Sequence, residues 1–156
     1  MPNFRHILKI TFCLIILLTL SACSGEAKLD ARALADKLLA DIITQEMLPV
    51  VPERLNRFFA DLDTSVLNET LYYHCAEAII ADELLIFQVK ESRQMAALKS
   101  TLNAHYQERV ELFAGYAPVE ADRIRRRLVI EKDRWLIILI SDNNTQGERL
   151  INDSFK

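Results

Sequence analysis

The spacing of apolar residues predicts two well-defined helices. Between residues 31 and 42 the apolar positions form one stripe of an amphipathic helix, and Asp30 is suited to cap its first turn. Two prolines within residues 47–52 forbid a continuation, so that segment is predicted to be irregular. The longest helix is expected over residues 92–114, ended by Gly115. Its predicted buried stripe is mostly apolar: Met95, Leu98, Leu102, His105 or Tyr106, Arg109 or Val110, and Phe113.

Three shorter helices follow from local signals. A proline at or near the first position predicts helices over residues 53–60 and 118–126, because proline is tolerated in the first helical turn. Thr145 and Glu148 form a capping-box pattern, in which the two side chains satisfy backbone N–H groups at a helix start. A last helix is therefore predicted over residues 146–155.

Four segments have the composition of strands. Residues 66–74 are rich in Thr, Tyr and β-branched or apolar residues. Residues 83–90 are almost continuously apolar, which indicates a central strand covered on at least part of both faces. Residues 128–132 and 135–140 predict a hairpin connected by residues 133–134. The turn type stays open, because arginine is not favoured where φ is positive.

The order of these elements indicates the fold class. Pairs of strands followed by helices are typical of α+β domains. We predict a single four-stranded, mostly antiparallel sheet with helices packed largely on one face. One domain over residues 30–156 accommodates all of these elements.

The N-terminal segment has the pattern of an export signal. Arg5, His6 and Lys9 precede an uncharged, almost entirely apolar run over residues 10–22. A membrane-spanning helix needs roughly 20 apolar residues, whereas a shorter run with a basic front and small residues at its end is typical of a signal peptide. The last four residues of the segment, Leu-Ser-Ala-Cys23, resemble the lipobox of bacterial lipoproteins. An ordinary cleaved signal and a retained membrane helix are the alternatives.

Cys23 is the expected lipidation site. In the lipoprotein signals that this segment resembles, the cysteine receives a diacylglycerol group and the leader, here residues 1–22, is removed just before it. Residues 23–29 then form a lipidated tether. Because one acyl chain such as palmitate anchors a protein only marginally and two anchor it stably, we expect the chain at the cell membrane, on the extracytoplasmic face.

Charge and cysteine content narrow the classes of partner. The formal net charge is −3, and it becomes more negative when Arg5 and Lys9 leave with the leader. Nucleic-acid partners are not expected, because they favour a strongly basic domain. Cys13 also leaves with the leader and Cys23 is lipidated. Cys75, which has mostly apolar neighbours, is then expected as a buried free thiol, with an intermolecular disulfide as the alternative.

The second half of the chain carries a characteristic order of features. An acidic residue begins an apolar strand, a Phe, Tyr and Pro segment follows a long helix, and a Ser-Asp pair ends the last strand. These positions are Glu83, Phe113, Tyr116, Pro118, Ser141 and Asp142. In this order the chain resembles a family of small bacterial lipoproteins, found mainly in Firmicutes, that is catalogued as a domain of unknown function. The resemblance extends over residues 30–155; it implies a lipid anchor and this fold, with no assigned activity or site residues.

No pattern of residues indicates a catalytic, metal or cofactor site. Phosphate-binding loops need clustered glycines, and the three glycines of this chain are widely separated. His74 and Cys75 are neighbours on a predicted strand, so their side chains point to opposite faces and a nucleophile–base pair is not expected. His105 is interpreted as a partly buried residue of the long helix. We therefore expect a non-enzymatic chain without a cofactor.

The densest charge cluster lies at the C-terminal end of the predicted helix over residues 118–126. It consists of Arg123, Arg125, Arg126 and Arg127. Two interpretations stay open: a solvated helix end, where cations favour the C-terminal dipole, or a contact with anionic lipid headgroups or an envelope protein.

Three functions are consistent with these features. The first is a membrane-anchored, non-enzymatic binding or accessory domain. The second is a small-ligand receptor or envelope enzyme with a cleft near the hairpin end, residues 132–145. The third is a purely structural envelope lipoprotein.

Overall fold

The computed structural model describes residues 28–155. The helices are α1 (Ala31–Asp41), α2 (Met95–Ala114), α3 (Pro118–Arg125) and α4 (Asn144–Ser154). The strands are β1 (Met47–Pro49), β2 (Leu67–Cys75), β3 (Glu83–Val89), β4 (Leu128–Lys132) and β5 (Trp135–Ile140). Short 3₁₀ helices span Pro52–Arg57, Thr64–Val66 and Ser92–Gln94. The predicted leader, residues 1–22, and Cys23 lie outside the described residues. Within those described, no helix has both the length and the apolar composition needed to cross a membrane.

The strands form one antiparallel sheet in the order β1-β2-β3-β5-β4. The prediction of four strands is wrong, because the sheet has five and the additional strand is β1. Leu48 of β1 lies opposite His74 of β2, and Pro49 lies opposite Tyr73. Proline has no N–H group to donate and is therefore confined to edge positions of a sheet. The two prolines that end the first helix are thus compatible with a short edge strand.

Helices cover both faces of the sheet, so the prediction of helices packed largely on one face is also wrong. α2, α3 and the 3₁₀ helix Pro52–Arg57 contribute to the core on one face, and α1 and α4 to the core on the other. Every residue of β3 and β5 is buried. Because alternate strand residues point to opposite faces, Leu85 belongs to the first core and Leu84 to the second.

Local side chains fix the helix starts and the hairpin. Asp30 caps α1 as predicted, and its carboxylate accepts a hydrogen bond from a first-turn N–H at 2.9 Å. Asp133 adopts φ 52° in the hairpin connection, a left-handed conformation that Asp tolerates better than most residues other than glycine.

The predicted capping box is wrong, because α4 begins at Asn144 and Thr145 lies inside its first turn. The side-chain oxygen of Asn144 instead accepts a hydrogen bond from the Ser141 N–H at 3.2 Å.

Candidate functional site

Two carboxylates are buried at one end of the sheet. Asp82 directly precedes β3 and Glu83 is its first residue. Glu83 lies opposite Ile140, the last residue of β5, so the acids sit where β2 and β5 end and β3 begins. Asp82 is 3% exposed and Glu83 is fully buried. A buried carboxylate is costly unless charged and hydrogen-bonding partners replace its hydration.

Helix α2 supplies the partners of Glu83. The Tyr106 hydroxyl donates to one carboxylate oxygen and the Arg109 guanidinium donates to the other. These donors lie three residues apart, so they share one face of the helix. Tyr72 on β2 lies near the same carboxylate, whose charge acts on its hydroxyl. Glu83 thereby ties α2 to β3.

Burial and the Glu83 charge keep this network in one protonation state. Burial raises the pKa of Tyr106 well above its usual value, and the nearby carboxylate raises it further, as also holds for Tyr72. Burial opposes the charge on Arg109, but the attraction of Glu83 prevails and raises the pKa of that guanidinium. Both phenols therefore stay protonated and Arg109 stays charged.

Arg123 is the partner of Asp82. Its guanidinium forms an ion pair with Asp82, a second with Glu120 at 2.8 Å, and a third with Asp142 at 3.1 Å. Glu120 also accepts a hydrogen bond from the Ala81 N–H at 2.8 Å. Burial raises the pKa of Asp82, against the attraction of Arg123. This second network holds α3 against the same end of the sheet.

The four arginines predicted to contact a membrane or partner do not form one surface. Arg123 is largely buried among the carboxylates. Arg127 lies over the Tyr106 ring at 4.7 Å and donates to Asn103 at 3.0 Å. Arg125 and Arg126 are exposed, and Arg125 pairs with Asp122. A contact with lipid headgroups or a partner stays a prediction, and the exposed residues available for it are Arg125 and Arg126.

A cavity of about 240 Å³ opens beside the Glu83 network. We call it the aromatic cavity, because rings line it from two parts of the chain. Phe58 contacts Tyr72 and His74, with ring centroids 5.2 Å and 4.9 Å apart, and Phe113 contacts Tyr116 at 5.2 Å. The polar groups in the lining include Asp82, Glu77, His105 and Arg109. The cavity thus combines apolar rings with polar groups, of which Asp82 and Arg109 are already paired.

His105 is the polar group of the lining that lacks a partner. Within residues 28–155 no hydrogen-bond partner reaches its buried Nε2. Its ring packs on Phe59 at 4.6 Å and on Tyr106 at 5.2 Å. Burial, aided by repulsion from Arg109, lowers the pKa of His105 to about 4. The imidazole is therefore neutral at physiological pH.

His74 and Cys75 both line the aromatic cavity, yet they do not form a nucleophile–base pair. His74 Nδ1 contacts the backbone oxygen of Cys75 at 2.9 Å. The Cys75 sulfur accepts a hydrogen bond from the Glu77 N–H at 3.4 Å. The thiol is buried and free, as the sequence predicts.

Exposed apolar side chains concentrate around this cavity. Leu112 and Tyr116 belong to its lining and are 63% and 52% exposed. Ile79, in the loop between β2 and β3, is 62% exposed. A second cavity of about 450 Å³, which we call the β1 cavity, adjoins it and shares Phe58 and His74. Exposed apolar side chains beside a cavity are typical of binding sites.

Sequence reasoning did not find the Glu83 network. Its signals were present, since Glu83 begins an apolar strand and the stripe of α2 passes through Tyr106 and Arg109. An acid at the start of a buried strand needs a donor from another element, and a sequence alone does not show which element lies there. Within residues 28–155, no group of three His, Cys, Asp or Glu side chains could hold a metal ion.

Replacing Glu83 by Gln tests the first network. We expect Glu83→Gln to lower the free energy of unfolding by about 3–5 kcal/mol, because it leaves Arg109 buried without its counter-charge. Glu131→Gln is the matched control, since Glu131 forms a half-exposed ion pair with Lys99 that contributes about 1 kcal/mol or less. Urea unfolding measures both changes. Equal losses in the two variants would contradict a structural role for the buried pair.

The titration of His105 tests its burial. Above pH 6.5 the imidazole is neutral in the folded and unfolded chain, so it adds no pH dependence. Between pH 6.5 and about 4 the unfolded chain gains a proton that the folded chain does not. The free energy of unfolding therefore decreases as the pH is lowered through this range. We expect the stability difference between the wild type and His105→Gln to shrink over this window, measured by urea midpoints at several pH values. Parallel pH profiles would show that His105 is not buried in neutral form.

The comparison with protein families covers the Glu83 network, both cavities and the Arg123 network except for Asp142. The model of a domain of unknown function, DUF4358, matches residues 40–141, which span all five strands, α2 and α3 and leave out α4 and nearly all of α1. No curated protein and no solved structure matches this chain. The predicted resemblance to a family catalogued as a domain of unknown function is confirmed, whereas its lipoprotein character and bacterial origin stay predictions. Because the match spans well over half of the sequence, this chain belongs to the DUF4358 family.

Proposed function

We propose that this chain is a membrane-anchored, extracytoplasmic lipoprotein whose folded domain binds an apolar group of its partner in the aromatic cavity and catalyses no reaction. The observation that carries the proposal is the clustering of exposed apolar side chains around a ring-lined cavity. Both faces of the sheet are covered, so the binding surface lies at the end of the sheet and not on an open face.

The paired charged groups at the cavity serve the fold. Both oxygens of Glu83 accept hydrogen bonds from Tyr106 and Arg109. Asp82 is held by Arg123. An ion entering the cavity would have to compete with these internal pairs, whereas an uncharged ring or aliphatic group gains from leaving water, at about 25 cal/mol per Å² of apolar surface. The cavity therefore favours a neutral, apolar group.

A small-ligand receptor is the second candidate function. Its supporting observation is the unpartnered Nε2 of His105, which lines a cavity of about 240 Å³. A neutral imidazole could accept or donate one hydrogen bond to a small polar aromatic ligand. Asp142, from the hairpin end that the sequence points to, reaches the same end of the sheet through its ion pair with Arg123.

The anchor is tested by metabolic labelling of a bacterial host with an alkyne analogue of palmitate. We expect the full chain to incorporate the label and Cys23→Ala to lose it, because Cys23 is the proposed lipidation site. Cys13→Ala is the matched control, and it should label as the wild type does. Labelling of Cys23→Ala at the wild-type level would refute the proposed anchor.

The cavity is tested with 5-fluoroindole as a neutral aromatic probe, followed by ¹⁹F NMR line broadening on the full chain. We expect Tyr116→Ala to weaken binding by roughly 3- to 10-fold, because it removes one aromatic contact. Val129→Ala is the control, since Val129 is a similarly exposed apolar residue on β4, outside the lining of either cavity. Absence of binding to the wild type, or equal binding by the two variants, would contradict the proposed site.

A further inference from the structure

The aromatic cavity and the β1 cavity adjoin each other, and we call the pair the groove. They share Phe58 and His74, whose rings lie 4.9 Å apart and form the wall between them. The β1 cavity is otherwise lined by apolar residues of 48–51 and by Arg54. Two apolar compartments therefore lie side by side, about 240 Å³ and 450 Å³ in volume.

The unpaired charges of this groove have opposite signs in its two compartments. Arg54 belongs to the lining of the β1 cavity and Glu77 to the lining of the aromatic cavity. Both are exposed, and among residues 28–155 neither has an ion-pair partner. The other charges of the lining are neutralised by Glu83–Arg109 and Asp82–Arg123 pairing. The unpaired charge is thus positive in the β1 cavity and negative in the aromatic cavity.

We propose that this groove binds a segment of a partner protein that carries two large apolar side chains, an acidic residue on the side of the β1 cavity and a basic residue on the side of the aromatic cavity. The inference rests on the proposed binding function and names its partner class. A polypeptide can fill two separate apolar compartments and place opposite charges at its two ends. The charge order also fixes the direction in which the segment lies.

Recognition is through side chains and not through an added strand. β1 is the edge strand beside the groove, and its hydrogen bonds to β2 use Val50, whose N–H donates to the Tyr72 oxygen at 2.9 Å. Pro49 has no N–H, so the free edge of β1 lacks a donor that strand addition needs. The apolar compartments and the charges of Arg54 and Glu77 are left to select the partner.

The test is a selection of random 12-residue peptides, displayed on phage, against the full chain in detergent micelles. We expect enriched peptides with two large apolar residues between an acid and a base. A labelled consensus peptide is then compared with its charge-reversed form by fluorescence anisotropy. The wild type should bind the charge-reversed peptide roughly 3- to 10-fold more weakly, as expected for two exposed ion pairs. The double variant Arg54→Glu with Glu77→Arg should reverse that preference.

Arg57→Glu with Glu111→Arg is the matched control, because both residues are exposed and lie outside the lining of the two cavities. This variant should keep the wild-type charge preference.

Peptides that bind without regard to charge order would overturn the inference. Binding of 5-fluoroindole with no peptide enriched would also overturn it while leaving the aromatic cavity as a small-ligand site. Loss of both would remove the binding function itself. Sedimentation showing a wild-type dimer that Leu112→Asp abolishes would assign the groove to a second copy of the chain.

Discussion

The carboxylate of Glu83 enters the interior of the protein at the first residue of the central strand β3. Taking such a group out of water costs several kcal/mol unless donors replace its hydration. Tyr106 and Arg109 supply them from α2. The position of α2 over the sheet is thereby fixed at this end by chemistry more specific than apolar contact. Phe113 of α2 and Tyr72 of β2 both line the aromatic cavity, so the shape of that cavity depends on where Glu83 holds α2.

A second ion-pair system extends the same constraint to α3. Arg123 joins Asp82 to Glu120 and Asp142, residues that come from three different parts of the chain. Because truncating one partner of such a pair leaves the others buried and charged, the two systems specify one arrangement of the helices more strongly than they raise total stability. The aromatic cavity includes Asp82 and Arg109 of these two systems in its lining, and a binding site loses less entropy when its walls are fixed beforehand.

Much of this fold could be predicted from the sequence. The helix over residues 31–42 with its Asp30 cap, the long helix and four of the strands follow from apolar spacing and local capping. The continuous apolar runs of β3 and β5 also carried the signal for a sheet covered on both faces. Assigning the helices to one face was wrong because the sequence does not show to which side each helix returns. β1 escaped prediction because three residues with a proline resemble a loop unless a neighbouring strand supplies the pairing.

The candidate site was less predictable, for a physical reason. Arg123 lies in a run of arginines, and nothing in that run marks the one whose side chain meets Asp82 some forty residues earlier in the chain. Phe58 lines both cavities, beside Glu77 in one and Arg54 in the other, because the chain after β1 folds back over the end of β2. Such contacts are long-range, and they depend on the sheet order and not on local spacing.

The family match leaves out most of the helical layer that covers one face of the sheet. Residues 40–141 contain the whole sheet and the helices of one face, whereas α4 and nearly all of α1 cover the other face. A fragment cut at these limits would expose Leu84, Ile86, Trp135, Ile137 and Leu139 to water. A sheet face so rich in apolar residues drives association between chains. The family match therefore leaves out the helices that cover this face of the sheet, and a truncated chain should keep them.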